Sequence, residues 1–117
     1  MSDNAWVEHA RAVLAELHAG NTPVRDEQRV AVKAALAALV DRAPGRSVEI
    51  RVPPFAAVQV VEGATHRRGT PPAVVEMDAA TWLALALGAI SWTEAVSAGK
   101  VRASGARSDL SGYLPLT

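Results

Sequence analysis

The residues that most often carry catalysis are few in this chain, and their spacing does not suit it. The histidines are His9, His18 and His66. A zinc site on a helix needs two histidines about one turn apart, and His9 and His18 are too far apart in sequence for that arrangement. No serine occupies a Gly-x-Ser-x-Gly motif, no phosphate-binding glycine loop follows a predicted strand, and the chain has no cysteine. We therefore predict no catalytic residue, no metal, no cofactor and no enzymatic activity.

One short basic cluster could contact a ligand. His66, Arg67 and Arg68 lie in 63–72, which its glycines and prolines mark as a loop. Guanidinium groups bind phosphate or carboxylate through paired hydrogen bonds, so we consider a contact with a lipid head group at the mouth of a cavity. The alternative is the solvated tip of an ordinary loop.

The most informative stretch is apolar rather than reactive. Between Ala79 and Ala89 the only polar side chain is Thr81, so a helix here has no face that prefers water. A membrane span needs roughly 20 apolar residues, and this stretch is too short for one. The helix must therefore be covered on more than one side, by a sheet and by a helix, a partner or an apolar ligand.

Local signals set the limits of this helix and of the next one. Asp78 is a good N-cap, and Gly88 can end the first helix because glycine adopts positive φ without strain. Ser91 and Glu94 form the capping-box pattern that begins a second helix. Gly99 closes that helix, and the alternation after it predicts a strand over 100–104 with one buried face.

The other elements complete an α+β order. Two amphipathic helices are predicted before Gly20 and from Pro23 to near Arg42. Further strands are predicted over 47–52, 56–62 and 73–77, and the one at 56–62 is apolar on both faces, which is typical of a central strand. This grouping favours an antiparallel or mixed sheet with helices packed on one face. We expect a mostly antiparallel sheet of four to five strands, in the order ααβββααβ(β). The 117 residues suit a single domain, 1–117.

Composition excludes some classes of partner. The chain carries 12 Lys and Arg against 12 Asp and Glu, so its net charge does not favour nucleic acid or an acidic membrane. The N-terminal sequence has no uninterrupted apolar segment, so we expect no secretion signal and a cytoplasmic location.

A family resemblance rests on the C-terminal residues. The residues that carry it are Asp78, Trp82, Gly88, Trp92, Ala95, Gly99, Lys100 and Gly105, followed by DLSGYLPL over 109–116. Together they resemble the C-terminal half of the sterol carrier protein family. The segments APGRSVEIRVPPFAAVQ and RGTPPAVVEMDAATWLALA are similar to small stand-alone bacterial members of actinobacterial type. The likeness extends from about Arg29 to the end of the chain.

The resemblance implies an apolar cavity between the sheet and the helices, in which a lipid-like ligand binds non-covalently. The ligand would be a fatty acyl chain or a sterol-like molecule, and lipid transfer is the implied role, without stable insertion in a membrane. The residues placed along this cavity by the resemblance are Val58, Val60, Met77, Trp82, Leu83, Leu85, Leu87, Ile90, Trp92 and Val96. The alternative is a non-enzymatic interaction module that forms a homodimer or docks through the helix at 78–90.

An energetic argument limits the size of such a cavity. An empty cavity of about 300 Å³ costs about 7 kcal/mol at roughly 24 cal/mol per Å³. The whole stability of a domain is about 5–15 kcal/mol. We therefore expect a cavity that is small, collapsed or occupied.

Overall fold

A computed structural model describes residues 4–63, 73–105 and 108–117, which form helices and strands in the predicted order. The elements are α1 (Ala5–His18), α2 (Arg25–Arg42), β1 (Val48–Val52), β2 (Ala56–Val60), β3 (Ala73–Glu76), α3 (Ala79–Leu87), α4 (Trp92–Ser97), β4 (Arg102–Gly105) and a short 3-10 helix (Ser111–Tyr113). The α+β class is confirmed. The described residues contain four strands, and the 3-10 helix follows β4 where a further strand was considered.

The predicted four-stranded, mostly antiparallel sheet is confirmed, and it includes one parallel pair. Its order is β2-β1-β3-β4, with β1 parallel to β3 and the two outer pairs antiparallel. The prediction that the 56–62 strand is central is therefore wrong, because β2 lies at an edge. The strand at 56–62 looked apolar on both faces partly because of Val61, which lies just after β2 and has a φ of +68°. Val61 is buried in a turn, where its N–H donates to Ala43 O at 2.6 Å.

The two faces of the sheet differ in the way that the alternation in β1 predicts. Val48, Ile50 and Val52 are fully buried on the face that the helices cover. Glu49 and Arg51 lie on the other face and form an ion pair at 2.5 Å. Hydrogen bonding and charge from Glu49 raise the pKa of Arg51. The helices thus pack on one face of the sheet, as expected.

The last strand departs from the expected burial pattern. All four residues of β4 are exposed, and only Val101, just before it, is buried. The strand pairs with β3 at the edge of the sheet, with Val75 opposite Ala103. The expected buried face over 100–104 is confirmed at Val101 and wrong at Ala103, which is exposed on an edge strand that pairs with β3 alone.

Helix α3 forms the centre of the helical layer. The Asp78 carboxylate accepts a hydrogen bond from the Thr81 N–H at 2.8 Å, and Gly88 ends the helix with φ of +80°. Trp82 is 0% exposed, and its indole N–H donates to Val32 O in α2 at 3.3 Å. Every residue of α3 is buried except Ala80, which is half-buried. Other parts of the same chain therefore cover this apolar helix.

The C-terminal tail supplies part of that cover. The Leu116 N–H donates to Ala86 O at 2.8 Å, so the tail crosses the end of α3. The guanidinium of Arg42, in the last turn of α2, donates to Tyr113 O at 3.0 Å and to Pro115 O at 2.7 Å. Leu110, between β4 and the 3-10 helix, is fully buried.

Candidate ligand-binding site

The turn between α3 and α4 is bordered by three surface clefts. Gly88 ends α3, and the Ala89 N–H donates back to Ala84 O at 2.8 Å, which tightens the turn. Ser91 then begins α4 as its N-cap. Ala89 lines all three clefts, so this turn is where their walls meet.

The first cleft, here called the apolar cleft, has a volume of about 350 Å³. Leu85, which is 1% exposed, belongs to its lining. Ile90, Trp92 and Leu114 also line it and are only half-buried. Pro115 of the C-terminal tail completes this side of the cleft. Partly exposed apolar side chains from α3, α4 and the tail therefore converge on one surface.

The second cleft, here called the polar cleft, has a volume of about 570 Å³. Its polar lining residues are His18, Asp78, Thr81, Glu94 and Lys100. Ala89, Ile90 and Glu94 line the apolar cleft as well, so the two clefts adjoin along the turn.

Both carboxylates of the polar cleft are held in place by helix caps. Asp78 accepts from the backbone of α3, as described above. Glu94 accepts from the Ser91 N–H at 2.9 Å, while the Ser91 hydroxyl accepts from the Glu94 N–H at 3.1 Å. The hydrogen bond from the Ser91 backbone, followed by that of its side chain, lowers the pKa of Glu94. The predicted capping box is confirmed, and it fixes a charged group at the edge of the cleft.

The third cleft lies between α1 and the end of α3 and has a volume of about 430 Å³. Leu14 and Leu87 contribute apolar surface to it, and Arg11 and His18 contribute polar groups. His18 therefore lines both this cleft and the polar cleft.

The residues predicted to bind ligand lie in several different environments. Leu85, Ile90 and Trp92 come together in the apolar cleft, and Leu87 lines the third cleft. Five others line none of these clefts, being half-buried on β2 or buried in the core: Val58, Val60, Met77, Trp82 and Leu83. Val96, on α4, is 44% exposed and also lines none of them. A ligand contact for these six residues stays a prediction.

The basic cluster His66, Arg67 and Arg68 lies outside the described residues, so its role stays a prediction. The alternative of docking through the helix at 78–90 stays a prediction, and the exposed residues of this range lie at its ends: Asp78, Gly88 and Ala89. Ala80 is the only residue of α3 that is not buried, and Ile90 is half-buried.

Sequence reasoning missed part of the polar cleft. Thr81 and Lys100 line it, yet neither was predicted as a ligand-contacting residue. Thr81 carried a usable signal, because it is the single polar side chain in an otherwise apolar helix. Leu114 and Pro115 were also missed as cleft residues, since their position depends on contacts with α2 and α3 that are distant in sequence.

The described part of the chain lacks two other kinds of site. Within residues 4–63, 73–105 and 108–117, no group of three His, Cys, Asp or Glu side chains could hold a metal ion. None of the helices in these ranges combines the length and apolar character that crossing a bilayer requires.

Comparison with known proteins identifies the family. No curated protein gives a significant match. A family model described as "Bacterial SCP ortholog" matches residues 24–116, which include every strand, α3, α4 and the lining of the apolar cleft. The chain therefore belongs to the sterol carrier protein family, as a bacterial orthologue.

Proposed function

We propose that this protein binds the apolar chain of a lipid-like small molecule in the apolar cleft and carries it without covalent attachment. The observation that supports this proposal is the convergence of Ile90, Trp92 and Leu114, all half-buried, around the more deeply buried Leu85. Membership of the sterol carrier protein family supports the same class of ligand. Of the residues predicted to contact a ligand, the apolar cleft contains three: Leu85, Ile90 and Trp92.

The proposed site is compatible with the energetic limit on the size of an empty cavity. An apolar cavity inside the core would cost stability in proportion to its volume. The side chains of Trp82, Leu83 and Leu85 are packed, with at most 1% of each exposed. The apolar cleft lies at the surface and not inside the core.

The size of the cleft implies a modest affinity. Its volume of about 350 Å³ lies near the lower end of the range of about 300–1,000 Å³ that is typical of ligand sites. Burying about ten methylenes contributes roughly 8 kcal/mol before ordering costs. This free energy corresponds to a dissociation constant of about 1 µM at the tightest. We expect micromolar or weaker binding that depends more on the chain than on its head group.

The proposal is tested by titrating the protein with a long-chain alcohol and measuring heat and bound mass. Ile90→Glu places a charge on the cleft and should weaken binding at least about tenfold, because a charge in an apolar contact is poorly solvated. Val30→Glu is the matched control, since Val30 lies on α2, is 56% exposed and lines none of these clefts. Equal binding by both variants, or no binding by the unmodified protein, would reject the apolar cleft as the site.

A further inference from the structure

Thr81 is a buried polar side chain that the fold leaves without a hydrogen bond. It is 7% exposed, and in the described residues its backbone N–H is bonded to Asp78 while its hydroxyl has no partner. No fully enclosed side-chain nitrogen or oxygen in these residues lacks a partner. The Thr81 hydroxyl therefore keeps access to solvent, and the opening is the polar cleft that Thr81 lines. A ligand oxygen in this cleft would supply the missing hydrogen bond.

The charges around Thr81 restrict the chemistry of that ligand. The carboxylates of Asp78 and Glu94 cannot easily turn away, because each accepts a backbone hydrogen bond at a helix start. Lys100 is exposed at the same cleft and makes no ion pair in the described part of the chain. His18 contributes a ring that can donate or accept.

We infer that the polar cleft is a head-group subsite, and that it selects a neutral head bearing several hydroxyls, such as the glycerol of a monoacylglycerol. Hydroxyls can donate to Asp78 and Glu94 and accept from Lys100, and one of them can pair with Thr81. An anionic head would face two fixed carboxylates, and a cationic head, although attracted by them, would face Lys100 and could not accept a hydrogen bond from it. A neutral head group that bears hydroxyls is repelled neither by the carboxylates nor by Lys100.

The geometry allows one ligand to occupy both clefts. Ala89, Ile90 and Glu94 line the apolar and the polar cleft, so a chain beside Trp92 and a head beside Thr81 can meet across the turn. This inference rests on the proposed function, because it assigns the head group of the same ligand.

The test compares four probes of equal chain length at one ionic strength: a long-chain alcohol, a monoacylglycerol, a fatty acid and a fatty amine. We expect the unmodified protein to bind the monoacylglycerol about three- to tenfold more tightly than each of the others, the gain typical of one added hydrogen bond. Thr81→Val removes the hydroxyl at nearly constant volume and should cancel the preference for the monoacylglycerol over the alcohol. Thr22→Val, an exposed threonine between α1 and α2, is the control.

The outcomes separate this inference from the proposed function. Equal binding of all four probes, or tightest binding of the acid or the amine, overturns the neutral head group while leaving chain binding intact. An unchanged monoacylglycerol preference in Thr81→Val overturns the role of Thr81. If no probe binds, the proposed function fails as well. The probe series on the unmodified protein decides the head-group class even if Thr81→Val does not fold.

Discussion

The backbone N–H of Leu116 donates to the carbonyl oxygen of Ala86 at 2.8 Å, which joins the C-terminal tail to the last turn of α3. This bond satisfies a carbonyl near the end of α3, where helical partners run out. It also places Pro115 in the wall of the apolar cleft and Leu116 in a separate cleft of about 460 Å³ beside Trp6. The C-terminal tail therefore covers the end of α3 and separates two clefts.

Arg42 should control how firmly the tail is held. Arg42→Ala removes the hydrogen bonds to Tyr113 O and Pro115 O, and because this guanidinium is exposed we expect a loss of only about 1 kcal/mol in the free energy of unfolding. Hydrogen exchange of the Leu116 amide should accelerate more than that of the core. Lys33→Ala removes another exposed cation from α2 and should change neither quantity. Unaltered exchange at Leu116 in Arg42→Ala would show that Arg42 does not hold the tail.

Gly45 should tolerate no side chain. Its φ is +151°, and a Cβ there would lie 2.2 Å from the backbone carbonyl of Val61. We expect Gly45→Ala to lower the free energy of unfolding by more than about 3 kcal/mol, because both backbone segments would have to move. Gly20→Ala tests positive φ alone, since φ is +84° and nothing lies within 4 Å, and it should cost about 1 kcal/mol. Urea unfolding measures both, and equal costs would contradict the close approach to Val61.

Glu94 should make stability depend on pH. Its pKa is lowered in the folded state by the hydrogen bonds with Ser91, so folding favours the ionised carboxylate. The resulting stability is present above the ordinary carboxylate range and is lost as the pH falls through the lowered pKa. The stability difference between the unmodified protein and Glu94→Gln should therefore shrink in acid. Glu62→Gln is the control, because it removes a carboxylate that lies outside the helices. A difference that is constant with pH would refute this contribution.

Local signals predicted the elements around the site well. The Asp78 cap, the Gly88 stop and the Ser91 and Glu94 capping box depend on residues within one helical turn, and all appear as predicted. The edge position of β2 was not predictable from its apolar pattern, because the parallel partner of β1 is β3, which follows β2 in the chain.

The site itself was predicted only in part. The family resemblance pointed to Leu85, Ile90 and Trp92 as ligand contacts, and these three residues line the apolar cleft. Burial of α3 by its own chain could not be read from composition, since it depends on α1, α2 and the tail closing around it. The clefts are consequently at the turn after α3, whereas the resemblance had implied a cavity between the sheet and the helices.

The most direct test of the central claim is fluorescence quenching by a long-chain alcohol with bromine on its chain. Bromine quenches tryptophan only at close range, so a chain in the apolar cleft should quench Trp92, which lines it, while Trp82 is fully buried in the core. Quenching should persist in Trp6→Phe and disappear in Trp92→Phe. Quenching that survives in Trp92→Phe, or is lost in Trp6→Phe instead, would contradict binding in the apolar cleft.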